Sequence, residues 1–194
     1  PDMAMPEDGR LVIGSYGRFH DAKGFDTLVQ AFRLLGDDAP FELMLGGFGP
    51  LQSELVELAG MARNIRFTGR VDDVADFLSH CHVFAVPSRY EAYGQVANEA
   101  REAGRPILVS RAGGLPEQVG RAGIIANCAT PEAWADAIRS LKDLPLENMG
   151  RAGRRATEGC GAERIAQWIK LFRFLAVPSG KSAHLRRSSG LSIA

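Results

Sequence analysis

No apolar run in this sequence approaches the roughly 18 residues that a membrane-spanning helix needs, and no secretory pattern opens it. A span and a cleaved leader are therefore not expected. Cysteine is scarce. Cys81, Cys128 and Cys160 are scattered, odd in number and without metal-ligand spacing, which argues against a cysteine metal site and suits a reducing, cytoplasmic compartment. Net charge is absent as well: 23 basic side chains balance 23 acidic ones, so the overall charge does not call for nucleic acid as a partner. Two nucleotide-binding signatures are missing. G-x-x-x-x-G-K-[ST] does not occur, which sets aside a P-loop NTPase. Gly14 and Gly17 make no G-x-G-x-x-G, and the second expected strand ends in Gly46-Gly47 rather than an acidic ribose binder, which demotes a nicotinamide dehydrogenase.

What is present is an ordinary globular composition, 45% hydrophobic and 24% charged over 194 residues, enough for one domain or one domain with a tail. The chain begins at Pro1 rather than Met, and residues 1–9 read as a linker, so a longer parent polypeptide is expected. Charge is unevenly spread. Residues 1–60 hold 4 basic and 10 acidic side chains, a net of −6; residues 145–194 hold 9 and 3, a net of +6. A basic end suits an anionic membrane surface or an acidic neighbouring domain. The second reading is favoured, and peripheral association of a full-length protein with the inner face of a membrane stays open.

Short β-type runs alternate with helical patterns along the chain. Leu11–Ser15 is a strand, followed by a loop over residues 16–24; Phe25, Leu28, Val29, Phe32 and Leu35 then repeat at helical spacing. Further strands are expected at Phe41–Leu45, Ile65–Thr68, Val83–Val86, Pro106–Ser110 and Gly123–Ala126. Thr130 is a good N-cap with Pro131 at N1, and helices are expected over Glu147–Thr157 and Ala162–Leu175. Trp134 and Trp168 read as core. Residues 177–194 are Ser-, Gly- and Lys/Arg-rich and are expected to be a disordered basic tail, which leaves residues 10–176 as the domain. This alternation calls for a doubly wound parallel Rossmann-like sheet of six strands in the order 3-2-1-4-5-6, with ligands at the switch point between strands 1 and 4.

Two loops converge there. The first carries Gly17, Arg18 and Lys23; the second carries Glu91, Tyr93 and Gly94. Gly94 opens a helix on which Val96, Ala100 and Ala103 form an apolar stripe with Glu99 just off its edge. Arg18 and Lys23 are a fork and a point charge of the kind that holds phosphate, and the helix start near Gly94-Gln95 offers free N–H groups to an anion. Two carboxylates with seven residues between them, Glu91 and Glu99, need another partner, and vicinal sugar hydroxyls fit because a carboxylate accepts two O–H bonds. The set reads as a site for a nucleoside diphosphate carrying a sugar. Each piece alone has a plainer reading: solvated loop charges, a glutamate complementing a helix dipole, or a surface ion pair of Glu99 with Arg101 or Arg105. Joint placement is what favours the site. Pro116-Glu117 after Gly113-Gly114 either edges the same crevice or forms a plain turn. His80-Cys81-His82 is read as structural, because alternation on an entering strand parts the histidines from the cysteine. Asp72, Asp73 and Asp76 are read as a helix start.

In order, Gly17-Arg18…Lys23-Gly24, Gly46-Gly47-Phe48-Gly49-Pro50, Phe67-Thr68-Gly69, Pro87-Ser88…Glu91-Ala92-Tyr93-Gly94…Glu99-Ala100, Gly104-Arg105-Pro106 and Gly113-Gly114-Leu115-Pro116-Glu117 resemble the C-terminal domain of retaining GT-B glycosyltransferases of the group-1, family-four type. The resemblance spans residues 10 to 175. It implies a nucleotide-sugar donor, linked to UDP, GDP or ADP, bound in this domain, and an acceptor held by an N-terminal domain of the same chain or a partner subunit. Arg18 and Lys23 would hold and stabilise the departing diphosphate. Glu91 would contact the donor sugar, Tyr93, Gly94 and Gln95 amides would lie near the distal phosphate, and Glu99 would hold the ribose. Arg70 and Val71 would edge the base, with Gly17, Gly47 and Val96 completing the donor site. No metal or cofactor is implied, and the domain alone is expected to be inactive. Ala92, Tyr93, Gln95, Asn98 and Arg101 depart from the commoner residues and bear on which sugar is taken. The remaining alternatives are a fragment of a non-hydrolysing sugar-nucleotide epimerase and a non-catalytic nucleotide-sugar-binding subunit.

Overall fold

A computed structural model describes residues 9–126 and 129–176; all but Gly9 of the expected linker, and the whole of the expected tail, lie outside these residues. Six strands, β1 (Leu11–Arg18), β2 (Phe41–Phe48), β3 (Ile65–Gly69), β4 (Val83–Val86), β5 (Ile107–Val109) and β6 (Gly123–Ile125), form one sheet in the order β3-β2-β1-β4-β5-β6. Every neighbouring pair is parallel. The expected doubly wound sheet is the one observed. Helices α1 (Phe25–Leu35), α2 (Gln52–Ala59), α3 (Val74–Ser79), α4 (Gln95–Glu102), α5 (Leu115–Val119), α6 (Pro131–Ser140) and α7 (Leu146–Thr157) supply the crossovers and the covering layers.

Side-chain alternation along the strands divides the core in two. Leu11, Ile13, Leu43, Leu45, Val83 and Ala85 point to one face, where Leu28 and Phe32 of α1, Leu55 of α2 and Trp134 and Ile138 of α6 bury them. Met44, Phe84, Val86, Ile107 and Val109 point to the other, under Phe77 and Leu78 of α3, Ala97 and Ala100 of α4 and Leu115 of α5. Strands covered on both faces read as near-continuous apolar runs rather than alternating ones, which is why Val83–Val86 was legible. Full burial of each large apolar side chain contributes about 1.5–3 kcal/mol. Trp134, 0% exposed, is the largest of them.

Several boundaries differ from expectation. β1 continues through Tyr16, Gly17 and Arg18 because these pair in register with Gly46, Gly47 and Phe48 of an equally long β2; ladder bonding outweighs the glycine loop signal. Gly17 and Arg18 therefore stand on a strand end, and Lys23 on a short 3₁₀ turn, Asp21–Lys23. On α4 the buried positions are Ala97 and Ala100, whereas Val96 and Ala103 are only half-buried. His80 and Cys81 are not on a strand: His80 is the C-cap of α3, the Cys81 thiol donates to the Phe77 carbonyl at 3.2 Å, and His82 Nδ1 accepts the Val12 N–H at 2.9 Å. Asp73 caps α3 by accepting the Asp76 N–H at 2.9 Å, and Thr130 caps α6.

The compact unit carrying the sheet ends at Glu158, and a second begins at Gly159. Its described residues include α8 (Cys160–Ala176), on which Trp168 stacks on Phe172 with centroids 5.7 Å apart. Trp168 is 53% exposed, so the expectation of a core tryptophan fails there.

Candidate functional site

The site is assembled where the loops leaving β1, β4 and β5 meet. The backbone N–H groups of Arg89 and Tyr90 both donate to the Ala22 carbonyl, at 2.8 and 3.1 Å. The Arg89 guanidinium clasps Asp26 with bonds of 2.8 and 2.6 Å and reaches Thr27 Oγ1 at 3.1 Å. Desolvation works to raise the Asp26 pKa, but hydrogen bonds and charge from Arg89 outweigh it and hold the carboxyl below its usual range. Gly24 makes the close approach possible. Its φ is +65°, and a Cβ there would lie 2.2 Å from the Pro87 carbonyl oxygen.

The β5 loop locks on from the other side. Gly113 has φ +50°, and its missing Cβ would overlap the Glu91 carbonyl oxygen at 1.5 Å. The Gly114 N–H donates to Ala92 O at 3.2 Å, and the amide nitrogen of buried Gln118 donates to the carbonyls of Tyr93 and Gly94. Ser110 Oγ donates to the Ser88 carbonyl. Gly113, Gly114 and Gln118 thus buttress the Glu91-bearing loop.

A cavity of about 230 Å³ opens at the β1/β4 switch point, lined by Tyr16, Gly17, Arg18, Lys23, Ser88 and Val96 among others. Lys23 Nζ lies 2.7 Å from Glu91 Oε2, which also accepts from Ser88 Oγ at 3.3 Å. Arg18 is exposed, and its side chain makes no hydrogen bond or ion pair with the described residues. Val96 brings the start of α4 to the same cavity, and Gly94, its N-cap, contributes no side-chain acceptor. The Ala97 N–H bonds the Gly94 carbonyl at 2.9 Å, which leaves the Gln95 and Val96 N–H groups for a ligand or water. Positive groups and helix amides on one small cavity are suited to an anion.

Glu99 stands in the second turn of α4 and accepts a hydrogen bond from the Tyr16 hydroxyl. Burial, then the hydrogen bond and charge of Glu99, push the Tyr16 phenol well above its ordinary range. Tyr16 falls in the expected loop over residues 16–24, whereas strand alternation continued from Val12 through Gly14 puts it on the α3/α4 face. Tyr93 is exposed. Gly47 pairs with Gly17 across β1 and β2. Arg70 and Val71 follow β3 and line a separate cavity of about 260 Å³ with Met44, Thr68 and Phe77; Arg70 bonds Asp72 at 2.7 Å and sits over the Phe48 ring at 5.5 Å. The Arg18, Lys23, Glu91 and Glu99 neighbourhoods are thus contiguous, with Arg70 and Val71 at one remove.

The family described as glycosyl transferases group 1 matches residues 10–143. A D-inositol 3-phosphate glycosyltransferase of Corynebacterium urealyticum is 34% identical over 183 residues, covering 84% of this chain and 43% of that protein. Among solved structures, a sucrose-phosphate synthase from Thermosynechococcus elongatus superposes with a TM-score of 0.76 at 28% identity, over 86% of this chain and 45% of the other. The C-terminal domain of a glycosyl transferase group 1 family protein from Francisella tularensis superposes with a TM-score of 0.65 at 21% identity, over 75% of this chain and 83% of that one. The chain spans less than half the length of the curated relatives it matches. With this sheet order and these matches, the chain belongs to the group 1 glycosyl transferases and has the architecture of their C-terminal, GT-B half.

Proposed function

We propose that this chain is the donor-binding half of a glycosyltransferase that moves a sugar from a nucleotide-sugar to an acceptor held outside the chain, with retention of anomeric configuration and without a metal. The observation that carries the reading is the cavity at the β1/β4 switch point, where the Arg18 guanidinium, the Glu91-paired Lys23 and the start of α4, without a side-chain cap, share one space. In this reading Arg18 and Lys23 bind the diphosphate and stabilise the negative charge that grows on it as the glycosidic bond breaks. Fixed positive groups are most effective when aimed at charge that develops in the transition state. The amides of Gly94 and Gln95 receive the distal phosphate. Glu91, held by Lys23 and Ser88, orients the donor sugar through its hydroxyls, and Glu99 accepts the ribose. Val71 and Arg70 border the base.

Titration of the chain with UDP, GDP, ADP and their sugars, followed by thermal unfolding, tests the reading. The matching nucleotide at a hundred times its Kd stabilises the fold by about 2.7 kcal/mol. No stabilisation by any of the three would overturn it. Supplied with an acceptor-binding half, the chain is expected to give a product with the donor's anomeric configuration, read by the anomeric proton coupling.

A further inference from the structure

Tyr16 is anchored twice. Its ring meets Phe77 and Phe84 edge-on, with centroids 5.3 and 5.0 Å away and interplanar angles of 77° and 61°. Such contacts fix the ring, since aromatic pairs favour defined edge-to-face geometry. The hydroxyl then donates to Oε2 of Glu99, 83 residues away in sequence. The Glu99 carboxylate has no other hydrogen bond or ion pair among the described residues, so Oε1 remains free to accept. Tyr16 also lines the cavity that holds Arg18 and Lys23, so its contact with Glu99 is made beside the cations assigned to the diphosphate.

A glutamate with three rotatable side-chain bonds loses rotamer freedom when it grips a ligand. A phenol already held by two rings removes much of that freedom beforehand. We propose that Tyr16 is a positioning residue: it holds Glu99 by Oε2 so that Oε1 is presented to a ribose hydroxyl of the nucleotide, and it thereby sets the preference for ribonucleotides over deoxyribonucleotides. The inference rests on the donor site proposed above. Phenylalanine at this position keeps the ring contacts and removes only the donor.

The test compares wild type with Tyr16→Phe by calorimetry, using UDP, GDP, ADP, their 2′-deoxy forms and inorganic pyrophosphate. For the nucleotide that binds, Tyr16→Phe is expected to weaken the ribose form roughly three- to tenfold, the cost of ordering one freed glutamate side chain on binding. The ribose-to-deoxyribose affinity ratio should fall toward one, with pyrophosphate binding unchanged. Glu99→Gln should lower the same ratio, and adding Tyr16→Phe to it should change the ratio no further, because the two act as one unit. Glu99→Asp, which shortens the carboxylate's reach and leaves the ring contacts alone, should reproduce the loss even if Tyr16→Phe proves unfoldable. An unchanged ratio in Tyr16→Phe, or an equal loss of pyrophosphate binding, would overturn the positioning role while leaving the donor site standing; an unchanged ratio in Glu99→Asp would remove the ribose role of Glu99 and the positioning role with it. Failure of the wild type to bind any nucleotide overturns the donor site, and this inference with it.

Discussion

Lys23 Nζ and Glu91 Oε2 lie 2.7 Å apart across 68 residues of sequence, and they tie the turn after β1 to the loop after β4. The Glu91 side chain is 13% exposed and the Lys23 side chain 32%. A pair this accessible is partly screened, and its worth to folding is modest. Its interest lies in position: on the proposed donor-site reading, the lysine leaves the glutamate for a more negative ligand.

Replacing Lys23 with Met is therefore expected to weaken nucleoside diphosphate binding by about tenfold or more, the loss of one charge-assisted bond. Glu91→Gln should leave the free diphosphate bound and remove the added affinity of the sugar-bearing form. Calorimetry with both ligands separates the two roles, and equal losses for both ligands in both variants would contradict them.

Gly113→Ala should be severely damaging. A methyl group 1.5 Å from the Glu91 carbonyl oxygen, on a backbone at φ +50°, forces the β4 and β5 loops apart. A loss of roughly 3 kcal/mol or more is expected, the range reached by core overpacking and special backbone positions. Chemical denaturation reads it, and a change within about 0.5 kcal/mol would mean the loops are not locked as described.

Acid sensitivity should be linked to Asp26. Its folded pKa lies below the unfolded value near 3.9, so its stabilising contribution is present above that value and is lost as pH falls through the folded pKa. At 35% exposure, screening keeps the contribution small. Asp26→Asn should flatten the fall of stability below about pH 4 and cost little of the fold at the acid end. A variant as acid-sensitive as the wild type would reject the link.

Cys81 is 1% exposed, and burial pushes its thiol up to about 12. Thiolate is the reactive form, so iodoacetamide at pH 8 should leave Cys81 unmodified in the folded chain and alkylate it after denaturation. Peptide mass spectrometry distinguishes the two, and native labelling at Cys81 would contradict its packing under α3.

Much of this was legible beforehand, for physical reasons. Val83–Val86 is buried on both faces and flanked by turn residues, so its length and place could be read from four consecutive apolar side chains. Strand order followed from the alternation of strands and helices. The reach of β1 could not be read so, because Gly17 signals a turn locally and its ladder partner Gly47 is 30 residues away. Glu91 and Glu99 announced themselves by spacing. Tyr16 did not: its partners Phe77, Phe84 and Glu99 are brought to it only by the sheet. On α8, Trp168 followed a helical apolar pattern that looked like core and is exposed.

The central claim is the location of the nucleotide, and amide chemical shifts of the isotopically labelled chain test it most directly. On titration with the nucleoside diphosphate that stabilises the fold, the account predicts that the largest changes fall on Gly17, Arg18, Gly94, Gln95 and Val96. Changes centred instead on the groove lined by Arg121, Arg151 and Arg155, with the β1 and α4 amides unmoved, would contradict it.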